Sequence, residues 1–299
     1  MEKLIFDIKK ALQLPPNVKV TNICLAGGMT NLNYVVTIDS FEYIVRVPGN
    51  GTQAIINRQE EKENLELASR IGINPELRYL NIETGLKITR KIENATTVTS
   101  KIAKHEETMR EVAEVFRTLH FSSEEMNNDF NLFELIPLYE QLALQAGANF
   151  YEGFMEVKDS MVFFRQYYEA LDIKKVPCHI DPACSNFIFN EEGKFYLIDW
   201  EYSGMFDSMW DLAAYSLEAG LSEREEANFL KVYFQREASM QEQERILLHK
   251  IFQDLLWSLW TLFKEAKGDD FGMYGKNRFE RAKNNIQLFK ETFEQNKVS

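Results

Sequence analysis

The chain has 299 residues, 45% of them hydrophobic and 13% aromatic, which is enough apolar material for a large core and for two lobes. A formal net charge of -12 argues against nonspecific nucleic-acid binding and against attraction to anionic membranes, while remaining compatible with a small cationic substrate. The most apolar region, Ile246 to Phe263, is broken by His249, Lys250, Gln253 and Asp254, so no membrane span is expected. The first ten residues lack a signal-peptide core, and Cys24, Cys178 and Cys184 form no CxxC pair, so a cytoplasmic protein with reduced thiols is expected.

Leu4, Ile5, Ile8 and Leu12 recur at helical spacing and stop before Pro15-Pro16, predicting a short amphipathic helix. Val18 to Leu25 and Tyr34 to Ile38 read as strands around a glycine turn at Gly27-Gly28-Met29-Thr30-Asn31. Backbone N–H groups in such a turn can approach phosphate oxygens, because glycine has no side chain in the way; two adjacent glycines also suit an ordinary hairpin. A third strand, Phe41 to Val47, carries one basic residue, Arg46, near its end. In kinase-like folds this is the place of a phosphate-contacting cation, held by an acidic residue of the next helix. That helix is expected from about Ala54 through Arg70, with Glu61 as the partner and Glu60 and Glu63 as competitors. Leu77 to Leu80 and Leu86 to Thr89 complete a sheet, and Arg90 to Asn94 form a crossing segment whose backbone, at Arg90 and Ile92, could meet an adenine edge.

From about Ser100 the pattern turns helical, over Glu106–Leu119, Leu132–Ala146 and Phe150–Leu171. His120, a lone histidine, reads as structural or as a cap. Pro177 ends the helical run and leads into His179-Ile180-Asp181-Pro182-Ala183-Cys184-Ser185-Asn186. Two short strands follow, Phe187–Phe189 and Phe195–Ile198, around a turn at Asn190-Glu191-Glu192-Gly193, and the second ends at Asp199. A hairpin there returns Asn186 and Asp199 to the same end. Asp181 can then accept the proton of an attacking hydroxyl, while Asn186 and Asp199 can hold Mg²⁺ on the phosphates of ATP. His179, beside Asp181, reads as a loop-ordering residue.

Past Asp199 the chain reaches a helix over Asp211–Glu218 without a long activation segment or an Ala-Pro-Glu signature, which argues against a protein kinase. Tyr202, Asp211 and Glu218 are near enough in sequence to line an acceptor site. Asp254 to Phe263 is helical, with Trp257 and Trp260 facing the same way. Such a pair serves either as core or, with a carboxylate such as Glu218, as a cage for a quaternary ammonium, where each ring contributes ~0.5–2 kcal/mol. Phe271 and Tyr274 could add aromatic faces, whereas Trp200 and Trp210 are assigned to packing.

Taken together, Gly27-Gly28-Met29-Thr30-Asn31, Arg46, Glu61, His179-x-Asp181-x4-Asn186, Ile198-Asp199-Trp200-Glu201-Tyr202-Ser203-Gly204 and Trp210-Asp211-Leu212 resemble the choline/ethanolamine kinase family. That family lies within a wider group of small-molecule kinases that includes aminoglycoside phosphotransferases. Arg46 in place of the usual Lys, Glu201-Tyr202-Ser203 and Trp257-Ser258-Leu259-Trp260 look like the choline kinase branch, bacterial type. The resemblance implies an α+β, bilobal protein-kinase-like fold. Residues 1–92 would form a nucleotide-binding lobe, an antiparallel sheet with one helix, and residues 93–299 a mostly helical catalytic and acceptor-binding lobe. It further implies ATP and Mg²⁺ as cofactors, choline as acceptor, and Tyr202, Glu218, Trp257, Trp260 and Phe271 at choline-pocket positions. Two features depart from the family pattern. Ala183 stands where eukaryotic members carry Gln, and Met273-Tyr274-Gly275-Lys276 replaces an acidic-aromatic ending. The rival expectations are a kinase for ethanolamine, thiamine or an aminoglycoside, and a silent kinase-fold binding module.

Overall fold

The structure, a computed structural model, describes residues 1–27, 31–49 and 56–294. It opens with helix α1 (Glu2–Ala11), whose Ile8 is buried against the first sheet. Strands β1 (Val20–Gly27), β2 (Leu32–Ile38), β3 (Phe41–Val47), β4 (Leu77–Leu80) and β5 (Lys87–Arg90) form an antiparallel sheet in the order β1-β2-β3-β5-β4. Alternation along these strands sends Val36, Ile38, Val45 and Ile88 into one small core with Ile8. The β3–β5 register sets Arg46 opposite Lys87.

Helix α2 (Arg58–Arg70) starts later than its composition suggests. Asn57 is extended rather than helical, and its side chain accepts from the Gln59 and Glu60 backbone N–H groups, which makes it the N-cap. The expected start near Ala54 lies outside the described residues.

The remainder is mostly helical: α3 (Ser100–Ala103), α4 (Glu106–His120), α5 (Leu132–Gln145), α6 (Phe154–Glu169), α7 (Met209–Ala219), α8 (Glu223–Phe234), α9 (Met240–Ala266) and α10 (Tyr274–Phe289). The α6 helix begins four residues later than expected, because Gly153 sits at φ 82°, a left-handed conformation that ends the preceding turn. Capping boxes at Ser222/Glu225 and Ser239/Glu242 set the starts of α8 and α9. Two small antiparallel sheets carry the central loops: β7 (Val176–Cys178) with β10 (Gly204–Phe206), and β6 (Thr96–Thr97) with β8 (Phe187–Phe189) and β9 (Phe195–Leu197). Trp200 and Trp210 are fully buried, in keeping with a packing role. No helix is long and apolar enough to cross a membrane among the described residues.

Candidate active site

The loop that follows β7 is held from below. Ile180 lies at φ 76°, a strained conformation for a β-branched residue. The carboxylate of Asp211, in the first turn of α7, accepts from the backbone N–H of His179 at 2.7 Å and of Ile180 at 2.8 Å. Trp210 Nε1 donates to the Ile180 carbonyl at 2.8 Å. His179 is buried, which lowers its pKa and keeps the ring neutral, and its Nε2 bonds the Ile198 carbonyl at 2.9 Å. It therefore ties the Asp181 loop to the segment between β9 and Asp199, the ordering role expected of it.

Asp211 corrects an expectation: it is fully buried beneath the loop and does not line the acceptor side. His120 has a carboxylate neighbour after all. Its Nε2 lies 3.1 Å from Asp211 Oδ2 and its Nδ1 2.9 Å from the Tyr233 hydroxyl. Since the carboxylate only accepts, Nε2 carries the proton and Nδ1 accepts from Tyr233. The nearness of Asp211 to Asp199 in sequence suggests a place on the acceptor side, but tertiary packing uses Asp211 as a buried anchor.

The β8–β9 hairpin pairs Phe187 with Leu197, and the Ile198 N–H donates to the Asn186 carbonyl at 2.9 Å. Asn186 and Asp199 thus return to the same end, as the spacing requires. Asn186 Nδ2 donates to the Asp181 carbonyl at 2.8 Å, which leaves its Oδ1 as the lone-pair oxygen of that side chain.

At the adjoining sheet, Arg46 Nη1 pairs with Glu61 at 2.6 Å and approaches Asp199 and Glu201 at 3.4 Å each. Glu60 and Glu63 instead accept from Asn57 and from Gln59 and Asn127, so Glu61 is the helix carboxylate that meets Arg46. Two further cations join. Arg58 bonds Glu61 at 2.6 Å and Glu201 at 3.1 Å, and Lys87 lies 3.4 Å from Glu61 and 3.8 Å from Asp199. Burial pushes the Glu61 carboxyl up, but Lys87, Arg46 and Arg58 together outweigh it and hold it at about 2. Arg58, Lys87 and Glu201 had been assigned no role. Arg58 carries a local signal, its i,i+3 spacing from Glu61 on one helix, whereas Lys87 comes beside Arg46 only through the β3–β5 pairing.

Asn31 Nδ2 reaches Glu201 at 3.4 Å, and Gly27 ends β1 opposite Asn33. Gly28 and Thr30 lie outside the described residues. Arg90 stacks over the Phe41 ring, 4.1 Å from its centroid, and with Ile92 lines the rim of the cavity described next.

A cavity of about 930 Å³ joins the two halves of the site. Arg46, Lys87, Asn186 and Asp199 line it together with Tyr202, Glu218, Trp257, Trp260 and Tyr274, and Asp181 is on its wall. Trp257 meets Tyr202 edge-on at 5.4 Å and Trp260 edge-on at 6.4 Å. Phe271 is not one of the lining residues; its ring packs on Trp260 at 5.1 Å and backs the wall. Both tryptophans line the cavity and belong to the large core cluster as well. Burial raises the Asp181 carboxyl to about 7, with Asp199 adding to the rise and Arg278 opposing it.

An N-terminal antiparallel sheet set against a mostly helical part is the architecture of the protein-kinase-like small-molecule kinases. The chain belongs to the choline/ethanolamine kinase family, whose model matches residues 23–283. Protein LicA of Haemophilus influenzae is 33% identical over 264 residues, 86% of this chain and 77% of that protein. The crystal structure of choline kinase LicA from Streptococcus pneumoniae superposes with a TM-score of 0.84 at 38% identity, covering 96% of this chain and 99% of that one. A crystal structure of LicA in complex with AMP gives a TM-score of 0.84 at 37% identity, covering 96% and 98%. The protein is a small-molecule phosphotransferase acting on a choline-like substrate.

Proposed function

We propose that the enzyme transfers the γ-phosphoryl group of ATP to the hydroxyl of choline, giving phosphocholine and ADP. One observation carries the reading: the Asp181 carboxyl shares a cavity with a cation-rich, phosphate-suited end and with an aromatic end. Residues 1–92 act as the nucleotide lobe and residues 93–299 as the catalytic and acceptor lobe.

Asp181, as carboxylate, accepts the choline hydroxyl proton while the choline oxygen forms a bond to the γ-phosphorus and the bond to the β–γ bridging oxygen breaks. The proton ends on Asp181 and the electron pair on ADP. A loose transition state leaves little covalent work for the protein, so positioning and charge compensation dominate. Arg46, paired to Glu61, steadies the phosphates, and Lys87 lies close enough to assist. Asn186 Oδ1 and the partly exposed Asp199 carboxylate are hard oxygen donors of the kind Mg²⁺ prefers, and these two residues would hold it. When bound, the ion neutralises charge on the phosphate oxygens. Glu61 and Glu201 lie within 4.8 Å of Asp199 as ligand atoms, but both are engaged by Arg46 and Arg58. Trp257, Trp260 and Tyr202 offer ring faces to a trimethylammonium group. Gly27, Gly28, Thr30 and Asn31 cover the phosphates, and Arg90 and Ile92 border the adenine.

ADP release with choline, ethanolamine, thiamine and an aminoglycoside as acceptors tests the proposal. Choline is expected to give the highest kcat/KM; turnover of none of the four would overturn it.

A further inference from the structure

Behind the acceptor end of the cavity, against its lining residues Glu218 and Tyr274, lies a cation of the chain itself. Arg278, in the second turn of α10, is buried. Its Nη2 contacts Glu218 Oε1, its Nη1 lies 3.0 Å from Asp254 Oδ1, and its guanidinium sits over the Tyr274 ring, 4.8 Å from the centroid. The Tyr274 hydroxyl is 3.5 Å from the same Glu218 oxygen. Asp254 is fully buried and is also gripped by Arg281 at 2.6 and 2.7 Å, so Arg278 is anchored from behind while it holds Glu218 and Tyr274, which line the cavity.

Two consequences follow for an incoming ammonium group. Glu218, the cavity carboxylate suited to accept N–H bonds from a primary ammonium, is compensated by Arg278, and one face of Tyr274 is covered. What remains for the acceptor is the Tyr202, Trp257 and Trp260 surface, which attracts a cation through its rings and offers it no carboxylate. A trimethylammonium loses nothing by this, because it has no N–H to satisfy. A primary ammonium gives up three water hydrogen bonds and finds its best partner engaged.

We infer that Arg278 is a specificity-determining residue that, by holding Glu218, sets the enzyme's preference for a fully methylated ammonium over a primary one. The inference rests on the amine-alcohol kinase reading above. The geometry ranks acceptors by methyl count: kcat/KM of the native enzyme rises from ethanolamine through its N-methyl and N,N-dimethyl derivatives to choline. In Arg278→Gln the Glu218 carboxylate is released, and the ethanolamine-to-choline ratio of kcat/KM rises about tenfold, the scale of one charge-assisted hydrogen bond. Arg278→Lys keeps a cation against Glu218 and keeps the native ratio.

The experiment is steady-state ADP release with the four acceptors on the three proteins, with the circular dichroism melt recorded for each. A ratio that shifts with Gln and is retained with Lys supports the inference, whereas a purely structural role would lower both acceptors alike. A folded Arg278→Gln enzyme with the native ratio overturns it, and so does a native enzyme that prefers ethanolamine. If the Gln variant does not fold, the order of the methyl series on the native enzyme decides. Turnover of none of the four acceptors by the native enzyme would sink the underlying kinase reading instead, a result distinct from an unchanged ratio.

Discussion

Asp211→Asn isolates the anchor beneath the Asp181 loop. In the native chain Oδ2 of Asp211 serves both the His179 N–H and His120 Nε2, while Oδ1 serves the Ile180 N–H. An amide has one acceptor oxygen, so its better orientation keeps the two donors on the Oδ2 side and turns an NH2 toward Ile180. The loss is one hydrogen bond to a charged group, ~1.5–3 kcal/mol, together with a stranded buried N–H, ~1–3 kcal/mol. That bond is made by the residue at φ 76°, whose backbone strain is itself ~1–3 kcal/mol. With the restraint gone the strain relaxes, and Asp181, the next residue, moves. A displacement of about 1 Å at a reacting group can cost ~100-fold in rate. The expected outcome is destabilisation of about 3 kcal/mol in urea unfolding and a fall in kcat of at least ~10-fold, with the KM for ATP little changed. A variant with native kcat and native urea midpoint would show that Asp211 does not restrain the loop.

Other outcomes are equally open to measurement. Because Asp181 must be ionised to act and burial raises it to about 7, kcat/KM is expected to rise with pH through that value; a flat profile from pH 5 to 8 would remove Asp181 as the base. The stability sign is the reverse. The folded state keeps a proton that the unfolded state sheds near 3.8, so ionising Asp181 costs stability as pH rises from about 4 to 7, and Asp181→Asn, nearly inactive, should melt above the native enzyme at pH 8 and level with it near pH 4 while still binding ATP. Trp257→Ala removes a cavity wall and a core side chain together, so a rise of ~10-fold or more in the choline KM should accompany a loss of ~3 kcal/mol in stability; an unchanged KM would refute the cage. Glu61→Gln leaves Arg46, Arg58 and Lys87 without their shared partner, with an expected cost of ~3–5 kcal/mol and a raised KM for ATP, read by urea unfolding and ADP release.

Much of the site was legible because its spacing is local. His179 to Asp199 spans one loop and one hairpin, and a hairpin with a turn at Asn190 to Gly193 can close in few ways, so the meeting of Asn186 with Asp199 followed from strand periodicity and turn chemistry. Arg46 with Glu61 was legible for a similar reason, a strand followed by the helix that packs beside its end. The start of α2 was not, because Asn57 claims the N-cap by a side-chain bond that competes with helix on equal terms in any polar stretch.

The sequence by itself determined the reaction class, through carboxylate, amide and cation side chains at separations that short-range folding brings together. Only the tertiary structure decided what surrounds them. Arg58 reaches Glu201 and Lys87 reaches Asp199 across the cleft, Asp211 turns inward to hold Ile180, and Arg278 comes back from α10 to Glu218. Those contacts join residues far apart in the chain, and no periodicity encodes them. They form because a buried charge must find a partner once packing has removed its water, and which partner it finds depends on which elements the core sets side by side.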